Sequence, residues 1–297
     1  MHGTNPARSA SISIPSLQEG VAVSAAFAGG GYALLAPDLI GLGVSHSPQA
    51  YLYNPSTLSV TLDLLEIAAR GFDRRLPVSG GEVFIAGFSQ GGHDAAVLQR
   101  ALEAAERPAM RVRAAAAVAG AYDLAGTSIP FALQGQSPGS STYLGLAAQS
   151  WSTYYGHPLE TLMTAPAAGQ VRQALDGSHG ADVLKLLPRN PREMFRSDFL
   201  NAQANGGSHW FLDAARANEA WNWTPQAPFR AYYGTQDVDV SPQESIAFAE
   251  ASAKRGGNAK AVAVGPFGHG ESVLHAVPLI RRWFDDLSAT ASSLRGN

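Results

Sequence analysis

Residues Val83 to Ala86 form a short apolar run, Gly87-Phe88-Ser89-Gln90-Gly91 follows at once, and an Ala/Leu-rich stretch continues to about Arg107. The run reads as a buried strand, the stretch after it as a helix, and the glycine-bounded pentapeptide as a tight turn between them. The same rhythm recurs along the chain. Tyr32 to Pro37 (YALLAP) predicts a buried strand closed by proline, and a Gly- and Asp-rich loop follows it. From Pro55, the spacing of Leu58, Leu62, Leu65 and Ile67/Ala68 predicts a helix, with Gly71 at its C′ position. Further strands are expected near Ala114–Val118, Phe229–Tyr233 and Lys260–Val264, with helices near Pro242–Arg255 and Ser272–Leu287. Strands alternating with helices imply parallel pairing through crossovers, so the fold class is α/β with a mostly parallel central sheet flanked by helices.

Residues 126–225 break that rhythm. They carry many Gly, Pro and Ser residues, helical stretches without a clear strand, and aromatics including Tyr143, Trp151, Trp210, Trp221 and Trp223. A block this long between two core strands exceeds a loop and reads as an inserted helical cap, most of whose aromatics form its own core. The expected organisation is a core of residues 1–125 and 226–297 with a cap or lid of 126–225.

Composition narrows the function classes. Of 297 residues, 45% are hydrophobic and 15% charged, which fits a globular chain with a large core and excludes intrinsic disorder. The net charge of -3 leaves no basic face for a phosphate backbone, so nucleic acid is not an expected partner. Without cysteine there is no disulfide, thiolate nucleophile or Cys-ligated metal. The histidines show no H-x-x-x-H or H-x-H pairing, so no metal site is expected. The longest apolar run, Val112 to Tyr122, is far short of the ~20 residues a transmembrane helix needs. The first residues have neither a basic nor an apolar leader region, so the chain as given carries no secretory signal. Compartment and oligomeric state stay open: cytoplasmic as it stands, exported if a leader was lost.

The chemistry centres on Ser89. A serine at the tip of a tight strand-to-helix turn takes a strained backbone conformation, presents its hydroxyl clear of the sheet, and meets the unpaired N–H groups of a helix start. The bland alternative is a helix-capping serine in a glycine-rich turn. A nucleophilic hydroxyl needs a general base and an acid that orients it. Asp237 follows the strand Phe229–Tyr233, and His269 follows the strand ending at Val264 in a glycine-flanked loop. Both lie beyond carboxyl ends of parallel strands, where open α/β sheets bind ligands. Asp239 is the rival of Asp237, and His275, within an apolar helical run, is the rival of His269. Asp38 is expected to organise its own loop, and His93 to be a packed helix residue.

These stretches together resemble the α/β-hydrolase superfamily, and more narrowly the serine esterases and lipases related to bacterial secretory lipases. The matching segments are Pro37 to Gly43 (PDLIGLG), Gly87 to His93, Tyr122-Asp123-Leu124, Gly234 to Val240 (GTQDVDV) and Gly268-His269-Gly270. The resemblance implies ester hydrolysis through an acyl-enzyme on a Ser89-His269-Asp237 triad, without a cofactor, on a small-molecule or lipid-like ester. It also implies that His2-Gly3-Thr4 matches the family's H-G-x segment, so that the backbone N–H groups of Thr4 and Gln90 form the oxyanion hole. On that match the first strands of the fold are missing from this chain. The same triad would serve a thioesterase, an amidase or an acyltransferase, and a catalytically silent binding protein is the rival from another class.

Overall fold

The structure is a computed structural model that describes residues 1–14, 18–70, 81–106, 108 and 110–295. The expected helix boundaries at Gly71 and Arg107 lie outside the described residues. In chain order the elements are α1 (Gln18–Phe27), α2 (Asn54–Ala69), β1 (Glu82–Phe88), α3 (Gln90–Ala104) and β2 (Arg111–Val118). A helical region follows, with α4 (Ile129–Ala132), α5 (Ser140–Tyr155), α6 (Ala165–Ala174), α7 (Ser197–Asn205) and α8 (Trp210–Ala217). The chain then returns through β3 (Phe229–Gly234), α9 (Pro242–Lys254), β4 (Ala259–Gly265) and α10 (His269–Arg295).

The four strands form one parallel sheet in the order β1-β2-β3-β4. Helices cover both faces, as a parallel sheet requires. On one face, Ile85 and Phe229 pack with Leu65 of α2, Leu98 of α3 and Phe248 of α9. On the other, Phe84 and Tyr232 pack with Phe27 of α1 and Ile280 and Phe284 of α10. In α2 the buried positions Asn54, Thr57, Thr61, Leu65 and Ala68 recur every three or four residues. Of the pair Ile67/Ala68 expected on that stripe, Ala68 is buried and Ile67 is 47% exposed.

Tyr32 to Pro37 is not a strand. The segment pairs with no strand, and a strand exists only through hydrogen bonds to a neighbour. Its apolar side chains instead line a cavity of about 960 Å³ beside the free edge of β1, together with Phe84, Phe88 and Val277. Among the described residues no strand precedes β1. Met1 sits on that edge, donating its amine to the Ala86 carbonyl (2.6 Å) and accepting from the Phe88 N–H (3.3 Å).

Between β2 and β3 the chain adds no strand to the sheet. Its helices enclose a core around Trp151, Met163, Phe199 and Phe211, which Tyr51 and Leu52 join from the loop before α2. Trp221 and Trp223, expected with the other aromatics of this block, pack against the sheet-side core instead. The Arg255 guanidinium holds them there by donating to both their backbone carbonyls.

The sheet's centre is built of small side chains: Ala114 to Ala117 of β2 are fully buried, with α3 close on one face and α10 on the other. Close packing leaves no room there for growth. Ala116→Leu is therefore expected to lower unfolding free energy by about 1–3 kcal/mol, read by urea titration. An unchanged midpoint would contradict the tightness of this layer.

Candidate active site

The turn between β1 and α3 has the strained geometry that the sequence implied. Ser89 has φ 55° and ψ -117°, a left-handed conformation rarely taken by a residue with a side chain. Three contacts hold it. The Ser89 N–H donates to the Val118 carbonyl at the end of β2 (2.8 Å), and the Ser89 carbonyl accepts from Gly92 (2.9 Å) and His93 (3.2 Å). The turn also closes so tightly that a Cβ on Gly87 would lie 1.9 Å from the Gly91 carbonyl oxygen. Only glycine fits at that crossing.

Asp237 and His269, the expected acid and base, come from neighbouring loops that are tied together. After β3, the Thr235 N–H donates to the Gly265 carbonyl (2.9 Å) and the Gln236 N–H to the Phe267 carbonyl (3.2 Å). Asp237 is 5% exposed. Its Oδ1 accepts from the N–H groups of Asp239 (2.8 Å) and Val240 (3.0 Å), which leaves Oδ2 facing His269. His269 opens α10, three residues before the expected helix start, and its carbonyl accepts from the Ser272 hydroxyl (2.6 Å). The imidazole lies between the two partners, with Nδ1 2.7 Å from Asp237 Oδ2 and Nε2 2.9 Å from Ser89 Oγ. A carboxylate can only accept, so Nδ1 carries the ring proton and the bare Nε2 accepts from the serine hydroxyl. The Phe88 ring packs against the imidazole at 4.8 Å between centroids.

Gln90 is the first residue of α3, so its N–H is one of those a helix leaves without an internal partner. Met1 to Gly3 run across this helix start: a Cβ on Gly91 would lie 2.2 Å from the Met1 carbonyl oxygen, and one on Gly3 would lie 3.1 Å from the Phe88 ring. Thr4 follows directly, its hydroxyl 3.1 Å from that of Tyr51. Tyr51 is buried, which pushes its phenol up to about 12. The phenol is therefore a neutral hydrogen-bonding group.

The other candidates separate. It is the Asp237 carboxylate that bonds His269, while Asp239 Oδ1 accepts from Ser137 Oγ and Tyr143 OH, each at 2.7 Å. His275 is exposed and stacks on Phe267. His93 is fully buried, with Nδ1 2.6 Å from the Ala121 carbonyl and Nε2 2.9 Å from the Asn54 side chain. Burial pushes it down to about 4. Asp38 departs from expectation, for its carboxylate accepts from the N–H and hydroxyl of Ser13, a distant segment rather than its own loop. Asp237, Asp239 and His269 also bring one potential metal-donor atom each within 4.8 Å of one another. Both ring nitrogens of His269 are already engaged, so this group is a hydrogen-bonded set.

Sequence reasoning did not find Ser137 and Tyr143, or Glu244. The last is a buried carboxylate on α9 that accepts from the N–H groups of Tyr122 (2.9 Å) and Asp123 (2.8 Å) and from the Ser128 hydroxyl. It holds the chain where β2 gives way to the helical region, and burial pushes it up to about 8. No spacing rule marks such partners, which lie about a hundred residues apart. Burial of a carboxylate on an otherwise ordinary helix leaves no trace in composition.

Comparison with known proteins agrees with this architecture. No family model matches the chain, and no curated protein does. Among solved structures, a protein of Legionella pneumophila assigned as a hydrolase aligns with a TM-score of 0.88 at 21% identity, over 96% of this chain and 78% of its own. A mutant of the rice cell wall degrading esterase LipA from Xanthomonas oryzae aligns at 0.80 and 22%, over 97% and 80% respectively. Candida antarctica lipase A in its closed state aligns at 0.54 and 16%, over 74% and 51%. At these identities the likeness speaks for the fold, and the chain has the α/β-hydrolase fold.

Asp94, one helical turn beyond the elbow, gives a pH test of this buried layer. It is fully buried, accepts from Thr57 Oγ1 (3.2 Å) through one oxygen, and leaves the other unpartnered. Burial pushes it up to about 7. The folded chain therefore keeps a proton that the unfolded chain releases near its ordinary value of about 3.9, so this site's stabilising contribution is lost as pH rises towards that raised value. Asp94→Asn is expected to exceed the parent in stability at about pH 8, with the gap closing near about pH 4. Denaturant unfolding at both pH values checks this, and a gap independent of pH would contradict it.

Proposed function

We propose that this chain is a serine hydrolase that cleaves carboxylic esters through an acyl-enzyme. The observation that carries this reading is the unbroken hydrogen-bonded path from the Ser89 hydroxyl through the His269 ring to the Asp237 carboxylate. In this mechanism Ser89 Oγ attacks the ester carbonyl as His269 Nε2 takes its proton. Asp237 keeps the ring in the Nδ1–H tautomer and stabilises the imidazolium that forms. The tetrahedral oxyanion meets the backbone N–H of Gln90 and that of Thr4. His269 then protonates the leaving alkoxide, and water repeats the sequence to release the acid and restore Ser89.

The helical region 126–225 acts as a cap over a core of residues 1–125 and 226–297. Its buried apolar cluster, anchored among the described residues on the rest of the chain only at Tyr51, Leu52, Ala121, Leu124 and Ala125, supports this division. The substrate is a small-molecule or lipid-like ester. Among the described residues no helix is long and apolar enough to cross a membrane.

Removing the nucleophile tests the reading. Ser89→Ala is expected to lower kcat on a short nitrophenyl ester by a factor on the order of 10⁴ to 10⁶. Turnover that survives the substitution undiminished would contradict it.

A further inference from the structure

We propose that Asp239 is a positioning residue for this reaction, a tether that fixes the seating of the cap and the alignment of the triad acid together; the proposal rests on the reading of Ser89, His269 and Asp237 above. Asp239 makes two kinds of contact, one through its backbone and one through its side chain. Through its backbone N–H it holds Asp237 Oδ1 at 2.8 Å, one of two N–H groups that turn the other carboxylate oxygen towards His269. Through its side-chain Oδ1 it accepts from Ser137 Oγ and Tyr143 OH, 102 and 96 positions away, each at 2.7 Å.

Those hydroxyls are themselves well placed. Ser137 is 2% exposed and accepts from the Gly139 N–H (2.9 Å) at the start of α5, while Tyr143 lies in the first turn of the same helix. Burial and the neighbouring Asp239 carboxylate raise the Tyr143 phenol, so it remains a donor. Hydrogen bonds from hydroxyls to a carboxylate are charge-assisted and stronger than neutral ones. Packing adds little to this hold at the tip of the loop, where the intervening Val238 is 42% exposed. Releasing the side chain would free the 238–240 backbone, and with it the two N–H groups that orient Asp237. A reacting group displaced by about 1 Å loses on the order of 100-fold in rate.

Three variants, assayed on a short nitrophenyl ester with thermal melts alongside, test the tether. Asp239→Ala is expected to lower kcat by about 10- to 100-fold while KM moves by less than about threefold, since the group acts on alignment rather than on ground-state binding. Asp239→Asn keeps an oxygen that accepts both hydroxyls and is expected to recover kcat to within about threefold of the parent. Ser137→Ala combined with Tyr143→Phe leaves Asp239 in place and is expected to reproduce most of the Asp239→Ala loss. A parent-like kcat for Asp239→Ala overturns the proposal, as does an Asp239→Asn as impaired as Asp239→Ala. Should Asp239→Ala fail to fold, full activity of the double variant overturns it equally. With Ser89→Ala inactive, such results overturn the tether alone; an active Ser89→Ala overturns the reading beneath it.

Discussion

Ser89 is held in a backbone conformation that its side chain disfavours, and the rest of the site is arranged around that constraint. A residue with φ 55° and ψ -117° stores roughly 1–3 kcal/mol of strain. The surrounding structure offsets it by burying α3 almost completely between the sheet and α2: every residue from Gln90 to Gln99 is inside. The helix cannot shift to relax the turn without breaking that packing. Strain at one residue is thus maintained by close contact along ten others, and the Oγ stays fixed beyond the sheet's carboxyl edge.

Asp237 and His269 depend on the same edge. Asp237 and His269 are 32 residues apart, yet their loops are joined by backbone hydrogen bonds before any side chain meets. Side-chain geometry is therefore inherited from strand pairing. The register of β3 with β4 brings Gly234 beside Gly265, and the irregularity between Tyr233 and Gly234 starts the departure of the Asp237 loop. Asp237 is nearly dry and His269 only partly exposed, so the carboxylate acts on the ring in a medium that weakens its field less than water does.

Much of this was legible in the order of residues, and the reason is locality. The strand, turn and helix around Ser89 are encoded within about 25 consecutive residues, and Asp237 and His269 each follow a recognisable apolar strand. The four strands appeared where the apolar runs predicted them, each extended by one to three residues at one or both ends. What failed involved partners far along the chain. Tyr32 to Pro37 has strand composition but no strand beside it to pair with. Asp38 has the makings of a local turn but finds Ser13 instead. The hydroxyls of Ser137 and Tyr143 carry no pattern that points to Asp239. In each case a distant contact decided the outcome.

The central claim is that the Ser89 oxygen is an activated nucleophile, and covalent capture tests it most directly. The protein would be treated with a fluorophosphonate, digested, and analysed by mass spectrometry to locate the adduct. The account predicts one phosphonyl group per chain, on Ser89, and its disappearance when His269 is replaced by glutamine. A chain left unlabelled by the reagent, or labelled on a different residue, would contradict it.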